Sequence, residues 1–546
     1  MNRLIKYMGV AAMTSAIISG CSDDKEYFGA PPIKQPAPKE VYVQGTVKTA
    51  EGMPLADVAV SDGYDIVTTD ADGRYSLKSE VPLGYMFVST PDGYEPATFL
   101  DNNRPKFWQN VNKNAPSGVD FILKATDCKP LSIIAIADPQ ISDRAGDVEL
   151  LKNMYVPQIN RAIDSLKTAG TSPIVVTLGD IICDWFVANG FGYTLDRFNA
   201  DFKVNAPVYH TMGNHDNDPF IEGDLASAST WHSHVGPSYY SFNRGGAHFI
   251  VTDNIVYTNP GAAPGVSGKR SYTTAYTKEQ LQWIEKDLAT IKDKTAPLFI
   301  TMHGILLTYP EAEGVQVSKV YRFDDGGPQL GALLKDFTNV KVFSGHSHKN
   351  HFQHTPEGNI REYNYAGTNG GWWPAGYKPY KPNLPLCLDG TPWGMGIWNL
   401  SSGTAQHIFK GYELPVDHQI RAYDLNTLTV DDREFTSSYL PGNSANTNVV
   451  QANVWAWEPG CTVKMIENGR ELAVKRVKMP DPYLITKYLV PIKKEYPKWD
   501  SGLNPESTAH MFRAQASTAD SPVTIEFTDL SGRKFTTVLN RPAPAE

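Results

Sequence analysis

The stretch that decides the fold runs from Val208 to Asp216 and reads VYHTMGNHD. It begins with a short apolar run of the length typical of a buried strand. Gly213 then allows a tight turn, and an amide, an imidazole and a carboxylate follow at Asn214, His215 and Asp216. The pattern predicts a buried strand that delivers polar side chains to its carboxyl end.

Four other apolar runs in the middle of the chain end in similar polar residues. They are the runs 131–137, 173–178, 298–302 and 340–343, which lead into Asp138-Pro139-Gln140, Gly179-Asp180, His303 and Ser344-Gly345-His346-Ser347-His348. In open α/β sheets, ligands bind outside the carboxyl ends of the strands, so these side chains are expected to meet in one crevice. Carboxylates, amides and imidazoles are metal ligands, and their recurrence at successive strand ends predicts a metal centre.

The segment 130–416 has the pattern of a layered α/β domain. Its apolar runs, with a further one at 249–252, alternate with amphipathic helical spacing at 148–166, 278–291 and 329–337. Helices that alternate with buried strands cover the faces of a mostly parallel sheet. This segment is therefore predicted to be the catalytic domain.

The segments on either side lack this helical spacing. Residues 41–125 contain short strands between turns, and an Asp72-Gly73 pair predicts a hairpin before Tyr75. Residues 417–546 contain further strand-like runs at 449–457, 463–466 and 523–527. The chain is therefore expected to be multi-domain, with the α/β domain between an N-terminal and a C-terminal β-sandwich.

The N-terminus has the form of an export signal. Arg3 and Lys6 precede a short apolar stretch that ends in Ile18-Ser19-Gly20-Cys21, which resembles a bacterial lipobox. We expect residues 1–20 to be a signal peptide and Cys21 to carry a lipid; the alternative is an ordinary signal with a chance cysteine. Residues 21–40 then include a proline-rich tether. The acidic residues after Cys21 resemble a surface-export signal, so the expected location is the outer membrane, at the cell surface or on its periplasmic face.

Composition narrows the classes of function. The 546-residue chain has a formal net charge of -9, which disfavours sequence-independent binding to nucleic acid or to anionic membranes. The membrane is therefore expected to be reached only through the lipid. Of the five cysteines, the four beyond Cys21 lack metal-ligand spacing and are expected to be buried thiols or to include one disulfide bridge.

The ordered series D-x-[H/Q], GD, GNHD, H and GHxH resembles the calcineurin-like metallophosphoesterases, whose fold is a β-sandwich flanked by helices. The resemblance implies two metal ions, of Mn, Fe or Zn, bound by mixed oxygen and nitrogen ligands. The first ion would be held by Asp138, Gln140, Asp180 and His348, and the second by Asp180, Asn214, His303 and His346. Asp180 would thus bridge the two ions. Gln140 stands where many relatives have histidine, and its neutral carbonyl is expected to hold the first ion more weakly.

The same resemblance implies a mechanism. A water that bridges two dications loses its proton near neutral pH, and the resulting hydroxide attacks phosphorus in line. His215 is expected to donate a proton or a hydrogen bond to the leaving oxygen. Its neighbour Asp216 is expected to orient the ring and to favour its protonated form. The alternative for His215 is a purely structural imidazole.

Aromatic residues near the motifs are candidates for substrate contacts. Trp372 and Trp373 follow two glycines shortly after the last ligand motif, and Trp185 follows Gly179-Asp180. They are expected to stack on a sugar or base of the substrate, with core packing as the alternative. Residues 41–125 also resemble the transthyretin-like modules of secreted bacterial enzymes, which implies either a spacer or docking role or glycan binding.

These features predict a metal-dependent phosphohydrolase that cleaves phosphate ester or anhydride bonds of small exported substrates, such as nucleotides or sugar phosphates. Monoesterase and diesterase activity both stay open, as does the oligomeric state. The alternative is a surface lipoprotein that binds glycan or a partner through its β-modules and retains a vestigial metal site. A protein Ser/Thr phosphatase is a third reading, which rests on the family resemblance alone.

Overall fold

The computed structural model describes residues 41–99, 103–112, 116–127, 129–143, 146–183, 193–261, 271–309, 318–368, 386–401, 404–428, 446–486 and 506–543. The signal peptide and tether predicted at 1–20 and 21–40 lie outside these residues. Residues 41–546 form one compact unit. Within this unit, one cluster of buried apolar side chains includes Val43, Phe249 and Ile525, so a continuous core runs through all three predicted segments.

The N-terminal segment consists of short strands joined by turns. Its strands are β1 (Tyr42–Thr49), β2 (Ala59–Ser61), β3 (Ile66–Thr68), β4 (Arg74–Lys78), β5 (Tyr85–Val88), β6 (Tyr94–Pro96), β7 (Trp108–Asn110) and β8 (Phe121–Ala125). They form two sheets with the strand orders β4-β1-β8-β6 and β3-β2-β5-β7. The hairpin predicted at Asp72-Gly73 is wrong, because β3 and β4 on either side of it belong to different sheets. The turn is closed instead by the Asp70 carboxylate, which accepts from the amides of Asp72 and Arg74.

The central segment contains the strands that carry the predicted ligands. Its strands are β9 (Leu131–Ile136), β10 (Ser172–Leu178), β11 (Val208–Thr211), β12 (Tyr240–Arg244), β13 (Ala247–Val251), β14 (Ile255–Tyr257), β15 (Tyr272–Thr274), β16 (Leu298–Thr301), β17 (Val340–Ser344), β18 (His351–His354), β19 (Ile360–Asn364), β20 (Gly394–Ser401) and β21 (Thr404–Gly411). One sheet has the order β11-β10-β9-β20-β21, the other has the order β12-β13-β16-β17-β19-β18, and β14 pairs with β15. The strands predicted from the six apolar runs of this segment are all present.

Helices lie between these strands. They are α1 (Asp147–Leu150), α2 (Val156–Thr168), α3 (Leu195–Asp201), α4 (Asp224–Ser227), α5 (Ser229–His234), α6 (Lys278–Leu288) and α7 (Gly327–Leu333). The helix predicted at 148–166 consists of α1 and α2 joined by a π-helical turn at Leu151–Tyr155. The helix predicted at 329–337 begins earlier and ends at Leu333, with Pro328 in the first turn, where its missing N–H costs no helical hydrogen bond.

The direction of the strands explains where the ligands meet. In one central sheet β9, β10 and β11 run parallel to one another, and in the other sheet β16 and β17 are parallel. Parallel strands end at the same edge of a sheet, so the residues that follow β9, β10 and β11 leave that sheet at one edge. The residues that follow β16 and β17 do the same in the second sheet.

The C-terminal segment is again built mainly from strands. It contains β22 (Arg421–Asp424), β23 (Val449–Asn453), β24 (Thr462–Glu467), β25 (Arg470–Glu471), β26 (Lys475–Met479), α8 (Pro482–Leu484), β27 (Thr508–Gln515), β28 (Val523–Thr528) and β29 (Lys534–Leu539). Its two sheets have the orders β22-β23-β27-β26 and β25-β24-β28-β29. Face-to-face packing of the two sheets into a sandwich, in this and in the N-terminal segment, stays a prediction.

Two further expectations concern membrane contact and cysteines. No helix among the described residues has the length and apolar composition needed to cross a membrane. Cys387 and Cys461 carry free thiols. Cys387 is also buried, which agrees with the predicted alternative of a buried thiol rather than a disulfide. Cys128 lies outside the described residues.

Candidate metal centre

The strand ends bring the predicted ligands together at one place. Those that follow β9, β10, β11 and β16 are at most 5% exposed, and the two histidines after β17 are partly exposed. Hydrogen-bond distances connect them into two overlapping groups. The predicted ligands are, in chain order, Asp138, Gln140, Asp180, Asn214, His303, His346 and His348.

The second cluster comprises Asp180, Asn214, His303 and His346, which meet around Nε2 of His303. This nitrogen lies 2.9 Å from Oδ1 of Asn214 and 3.2 Å from Oδ2 of Asp180. It also lies 3.1 Å from Nδ1 of His346. The other ring nitrogen of His303 lies 2.8 Å from the carbonyl oxygen of Leu178, which can only accept a hydrogen bond. Nδ1 therefore carries the proton, and Nε2 is the nitrogen that can bind a metal.

The first cluster comprises Asp138, Gln140, Asp180 and His348. Nε2 of His348 lies 3.4 Å from Oδ1 of Asp138, and Nε2 of Gln140 lies 3.0 Å from Oδ2 of Asp180. Oδ1 of Asp138 is buried and accepts no hydrogen bond from the described residues. Its partner Oδ2 accepts from the amide of His346 at 2.8 Å. A buried carboxylate oxygen without a donor is a suitable ligand for a cation.

One oxygen of Asp180 faces both clusters. Oδ2 accepts from the amide nitrogen of Gln140 in the first cluster at 3.0 Å, which leaves the Gln140 carbonyl as its possible ligand atom, and it lies 3.2 Å from Nε2 of His303 in the second cluster. Oδ1 instead accepts from the amide of His215 at 2.8 Å. Although burial opposes it, the charges of His303 and His215 lower the pKa of Asp180, so the carboxylate is anionic. An anionic carboxylate in this position is suited to bridging two cations.

The spacing of the donor atoms fits a transition metal. Atoms bound to one ion at about 2.0–2.2 Å lie about 3–3.5 Å apart in tetrahedral or octahedral geometry. The distances from Nε2 of His303 to its three neighbours are 2.9, 3.1 and 3.2 Å. Among the described residues, Asp180, His303 and His346 form a group whose ligand atoms all lie within 4.8 Å of one another. The residues present therefore fit a bound ion.

The backbone at the centre is strained. Non-glycine residues in the left-handed region cost roughly 1–3 kcal/mol each, and such strain collects at functional sites. Close approach also explains two glycines: a Cβ on Gly345 would lie 2.5 Å from Oδ2 of Asp138, and one on Gly213 would overlap Oδ1 of Asp180. The ligands with positive φ are Asp138 (46°), Gln140 (41°), Asp180 (50°), His346 (69°) and His348 (56°).

Comparison with protein families agrees with this geometry. Residues 131–350 match the calcineurin-like phosphoesterase family. Residues 41–126 match the N-terminal domain of calcineurin-like phosphoesterase, and residues 362–535 match its C-terminal domain. The chain belongs to the calcineurin-like phosphoesterase superfamily. Its central phosphoesterase domain is flanked by N- and C-terminal domains, and membership implies the use of divalent metal ions.

Characterised relatives of this phosphoesterase are phosphatases. The chain is 26% identical over 166 residues to purple acid phosphatase 13 of Arabidopsis thaliana. This alignment covers 28% of the chain and 25% of the relative. It is 29% identical over 149 residues to human serine/threonine-protein phosphatase CPPED1. This alignment covers 26% of the chain and 42% of the relative. The matches therefore span less than half the length of either relative.

Solved structures resemble the phosphoesterase only distantly. GAP50, described as the anchor in the inner membrane complex of Plasmodium, aligns with a TM-score of 0.30 and 13% identity, over 52% of this chain and 85% of its own. A conserved uncharacterized protein of Streptococcus pneumoniae, described as a predicted phosphoesterase, aligns with a TM-score of 0.19 and 9% identity, over 52% of this chain and 100% of its own. Likenesses this distant add nothing to the fold described above.

His215 lies beside the shared carboxylate. Its Nδ1 is 2.9 Å from the carbonyl oxygen of Cys183 and therefore carries a proton, while Nε2 lies 4.0 Å from Oδ2 of Asp180. Burial disfavours the charged ring, yet the Asp180 carboxylate and the Cys183 carbonyl raise the pKa of His215 to about 10. Bound cations would oppose this shift, because nearby positive charge disfavours the protonated ring.

The hydrogen bonds of Asp216 among the described residues go to the main chain, so its expected role of orienting the His215 ring stays a prediction. Its carboxylate accepts from the amides of Gly213 at 2.8 Å, Ile182 at 3.3 Å and Ile181 at 3.4 Å. It therefore joins the loop after β10 to the loop after β11, while the Cys183 carbonyl contacts Nδ1 of His215. Burial and the charge of Asp180 raise the pKa of Asp216 to about 8.

The two histidines of the second cluster differ in protonation. Burial disfavours the charged form of His303, yet Asp180 raises its pKa to about 9. Burial and the nearby charge of His303 lower the pKa of His346 to about 4. In the absence of metal, a proton therefore occupies the position on His303 that an ion would take.

Three residues that hold the ligand loops were missed by sequence analysis. Oδ1 of Asn254 accepts from the amide of His303 at 3.2 Å. Glu362 accepts from two main-chain amides of the loop after His303 and from the hydroxyl of Ser344 at 2.7 Å. Asn364 donates to the same hydroxyl at 3.0 Å. The sequence signal that could have identified these three residues is a polar residue within or just after a buried strand. The predicted ligands follow buried strands in the same way. The predicted substrate contacts Trp185, Trp372 and Trp373 lie outside the described residues.

Proposed function

We propose that this phosphoesterase is a dinuclear metal-dependent phosphohydrolase that acts on small exported substrates. The observation that carries the proposal is the position of Asp180, whose Oδ2 accepts from the amide nitrogen of Gln140 at 3.0 Å and lies 3.2 Å from Nε2 of His303. One anionic oxygen between two groups of ligands suits a pair of cations that share it. Two-metal hydrolases hold their ions roughly 3.5–4 Å apart, a spacing that a shared carboxylate can span.

Each cluster would hold one ion. When bound, the ions supply activation of the nucleophile and offset charge on the phosphoryl oxygens. Asp138, Gln140 and His348 would hold the first ion together with Asp180, and Asn214, His303 and His346 would hold the second together with the same carboxylate. Oxygen and imidazole donors of this kind suit Mn, Fe or Zn.

His215 is proposed as the group that protonates the leaving oxygen. The Cys183 carbonyl holds Nδ1 at 2.9 Å, so the Nε2–H of the protonated ring is directed towards the centre. Transfer of this proton lets the leaving group depart as a neutral hydroxyl, which matters most when that group is a poor one. The neutral ring that remains can take up a proton from solvent before the next turnover.

The class of substrate follows from location as well as from charge. We propose that residues 1–20 are removed, that Cys21 is lipidated, and that the enzyme is anchored at the outer membrane. With a net charge of -9, the protein offers no general attraction for anions, so phosphate binding depends on local positive charge at the metal centre. Nucleotides and sugar phosphates meet these conditions, and Trp185, Trp372 and Trp373 are proposed to stack on their base or sugar.

A substrate panel tests the proposal. The protein is reconstituted separately with Mn, Zn and Fe and assayed on nitrophenyl mono- and diesters, nucleotides, sugar nucleotides and a phosphoserine peptide. The peptide is included because CPPED1, 29% identical over 149 residues, is named as a protein phosphatase. We expect metal-dependent hydrolysis of small esters or anhydrides, faster than hydrolysis of the peptide. Absence of turnover with every metal would favour the alternative, a binding lipoprotein with a vestigial site.

A further inference from the structure

The C-terminal segment reaches the loop that carries His346 and His348 through buried hydrogen bonds. Asn350 follows these ligands, and its amide donates to Oδ2 of Asp389 at 2.9 Å. The same oxygen lies 3.1 Å from Nε2 of His510 on β27. Asn350, Asp389 and His510 are at most 1% exposed. A C-terminal side chain is thus two hydrogen bonds away from the main chain of a ligand loop.

His510 is itself held in one orientation. Its Nδ1 lies 2.7 Å from Oδ1 of Asn453. The amide nitrogen of Asn453 donates to the carbonyl oxygen of Asp389 at 3.0 Å and to Oδ2 of Asp481 at 2.8 Å. Because both amide hydrogens have acceptors, the amide oxygen must face His510. Although burial opposes it, His510 lowers the pKa of Asp389, so the acceptor for the ligand loop is an ionised carboxylate.

The Asn350 side chain extends this network to the other ligand loop of the first cluster. Its Oδ1 accepts from the amide of Ala366 at 2.8 Å, and its Nδ2 donates to the carbonyl oxygen of Trp455 at 2.9 Å. Two residues beyond Ala366, the amide of Thr368 donates at 2.7 Å to the carbonyl oxygen of the residue directly before Asp138. The network therefore meets the main chain beside both loops that carry Asp138, Gln140 and His348, the ligands that belong to the first cluster alone. His346 of the second cluster lies further from Asn350 along the same loop.

We propose that His510 is a positioning residue for the first cluster, acting through Asp389 and Asn350. The C-terminal domain would thereby complete the metal centre without contributing a ligand. This inference rests on the proposed two-ion function. Partners that orient metal ligands typically contribute 10–100-fold to metal affinity, so an effect of about that size is expected for the first ion.

The chain offers a closely matched control. His248 is also buried, with Nε2 2.7 Å from Oδ2 of Asp287 and Nδ1 2.8 Å from Oδ1 of Asn243. It pairs across the sheet with Leu298, the first residue of β16, whereas the ligand His303 follows the other end of that strand. Replacing His248 therefore removes the same kinds of hydrogen bonds at a distance from the ligand loops.

The experiment compares His510→Leu with His248→Leu in the full chain. Each metal-free protein is titrated with Mn²⁺ alone by calorimetry, and hydrogen exchange is measured over residues 345–352. For His510→Leu we expect the affinity for one ion to fall about 10–100-fold, the affinity for the other to be kept, and exchange in the segment to rise. His248→Leu should keep both affinities. His510→Gln, whose amide can still donate to Asp389, should recover part of the loss and carries the test if the Leu variant does not fold.

The outcomes separate the inference from the proposed function. If the wild type takes up two ions and His510→Leu binds both as tightly, the inference alone is overturned. Equal weakening of both ions in the two Leu variants would also overturn it, because that pattern reflects general destabilisation. If the wild type takes up fewer than two ions, the proposed function fails and the inference fails with it.

Discussion

The two clusters of the metal centre differ in how completely the protein assembles them. In the second cluster, three donor atoms lie 2.9, 3.1 and 3.2 Å from Nε2 of His303. In the first cluster, His348 lies 3.4 Å from Asp138, but among the described residues the ligand atoms of Asp138, Asp180 and His348 do not form a group that lies within 4.8 Å, as those of Asp180, His303 and His346 do. The second cluster is therefore close to its bound geometry before an ion enters.

This difference bears on the order of metal binding. A preorganised site loses less conformational freedom on binding, so more of the interaction energy remains as affinity. In the proposed centre the first cluster would also use the neutral amide of Gln140 as a ligand, and hydrogen bonds connect its His348 loop to the C-terminal segment. We therefore expect the second cluster to bind its ion more tightly than the first.

The largest effect is expected from Asp180→Asn, which alters the residue that the clusters share. Loss of the anionic charge should weaken both sites together, so elemental analysis should find well below two ions per chain and turnover should be lost. Asp287→Asn is the control, because this buried aspartate pairs with His248 rather than with a predicted ligand. Loss of one ion with full retention of the other would contradict the bridging role.

His215→Ala should spare both clusters while slowing the reaction. General acid catalysis is typically worth about 10²–10⁴ in rate, so a fall of that order is expected in kcat. The fall should be larger for alkyl phosphates than for nitrophenyl esters, which have good leaving groups, and the metal content should stay near two. Equal slowing of both substrate classes, or loss of metal, would contradict the assignment of His215 as the general acid.

Acid should weaken the second cluster through His303. An ion must displace the proton from Nε2, and the pKa of His303 is raised to about 9. The affinity of the second cluster for its ion therefore falls as the pH falls below about 9, by about tenfold per pH unit if one proton is released. Above that pH the affinity levels off. Calorimetric titrations with Mn²⁺ at several pH values, in buffers of different ionisation enthalpy, measure both the slope and the proton release. Affinity independent of pH between 6 and 8 would count against this protonation.

Gln140→His should reduce the difference in metal affinity between the two clusters. An imidazole is a stronger ligand than a neutral amide for these metals, so the first ion should bind somewhat more tightly. The affinity of the second ion should change less, because Gln140 belongs to the first cluster and reaches the shared Asp180 carboxylate through its amide nitrogen at 3.0 Å. Titration with Zn²⁺ checks this, and a weaker first ion would show that Gln140 is not a ligand.

Cys21→Ala should leave both clusters unchanged. The predicted lipid lies outside the phosphoesterase domain, so metal content and kcat should match the wild type while the protein leaves the membrane fraction. Cell fractionation combined with an assay of the soluble fraction measures both properties. Unchanged fractionation would exclude a lipid anchor at Cys21.

The ligands could be predicted from sequence because each follows a short apolar run. A buried strand and the polar residue after it are both local properties, and parallel strands bring such residues together, as at Asp138 and Asp180. Asp216 shows the limit of this reasoning. It stands next to His215 in sequence, yet its carboxylate accepts from main-chain amides that belong partly to another loop. Main-chain donors leave no trace in the sequence.

The supporting residues could not be predicted for a similar reason. Nothing near His510 in the sequence indicates that it meets Asp389, because that contact depends on how two segments pack. The turn at Asp72-Gly73 was predicted correctly as a turn but wrongly as a hairpin, since the pairing of β4 with β1 is also a non-local choice. Local patterns thus indicated the ligands, and tertiary packing determined what holds them.

The most direct measurement is a calorimetric titration of the metal-free wild-type protein with Mn²⁺, with elemental analysis of the saturated product. Because Asp180 is shared by the two clusters, we predict that two ions bind per chain. Because the second cluster is more completely assembled than the first, we predict that they bind in two steps of unequal affinity. Saturation at a single ion would contradict the two-ion centre.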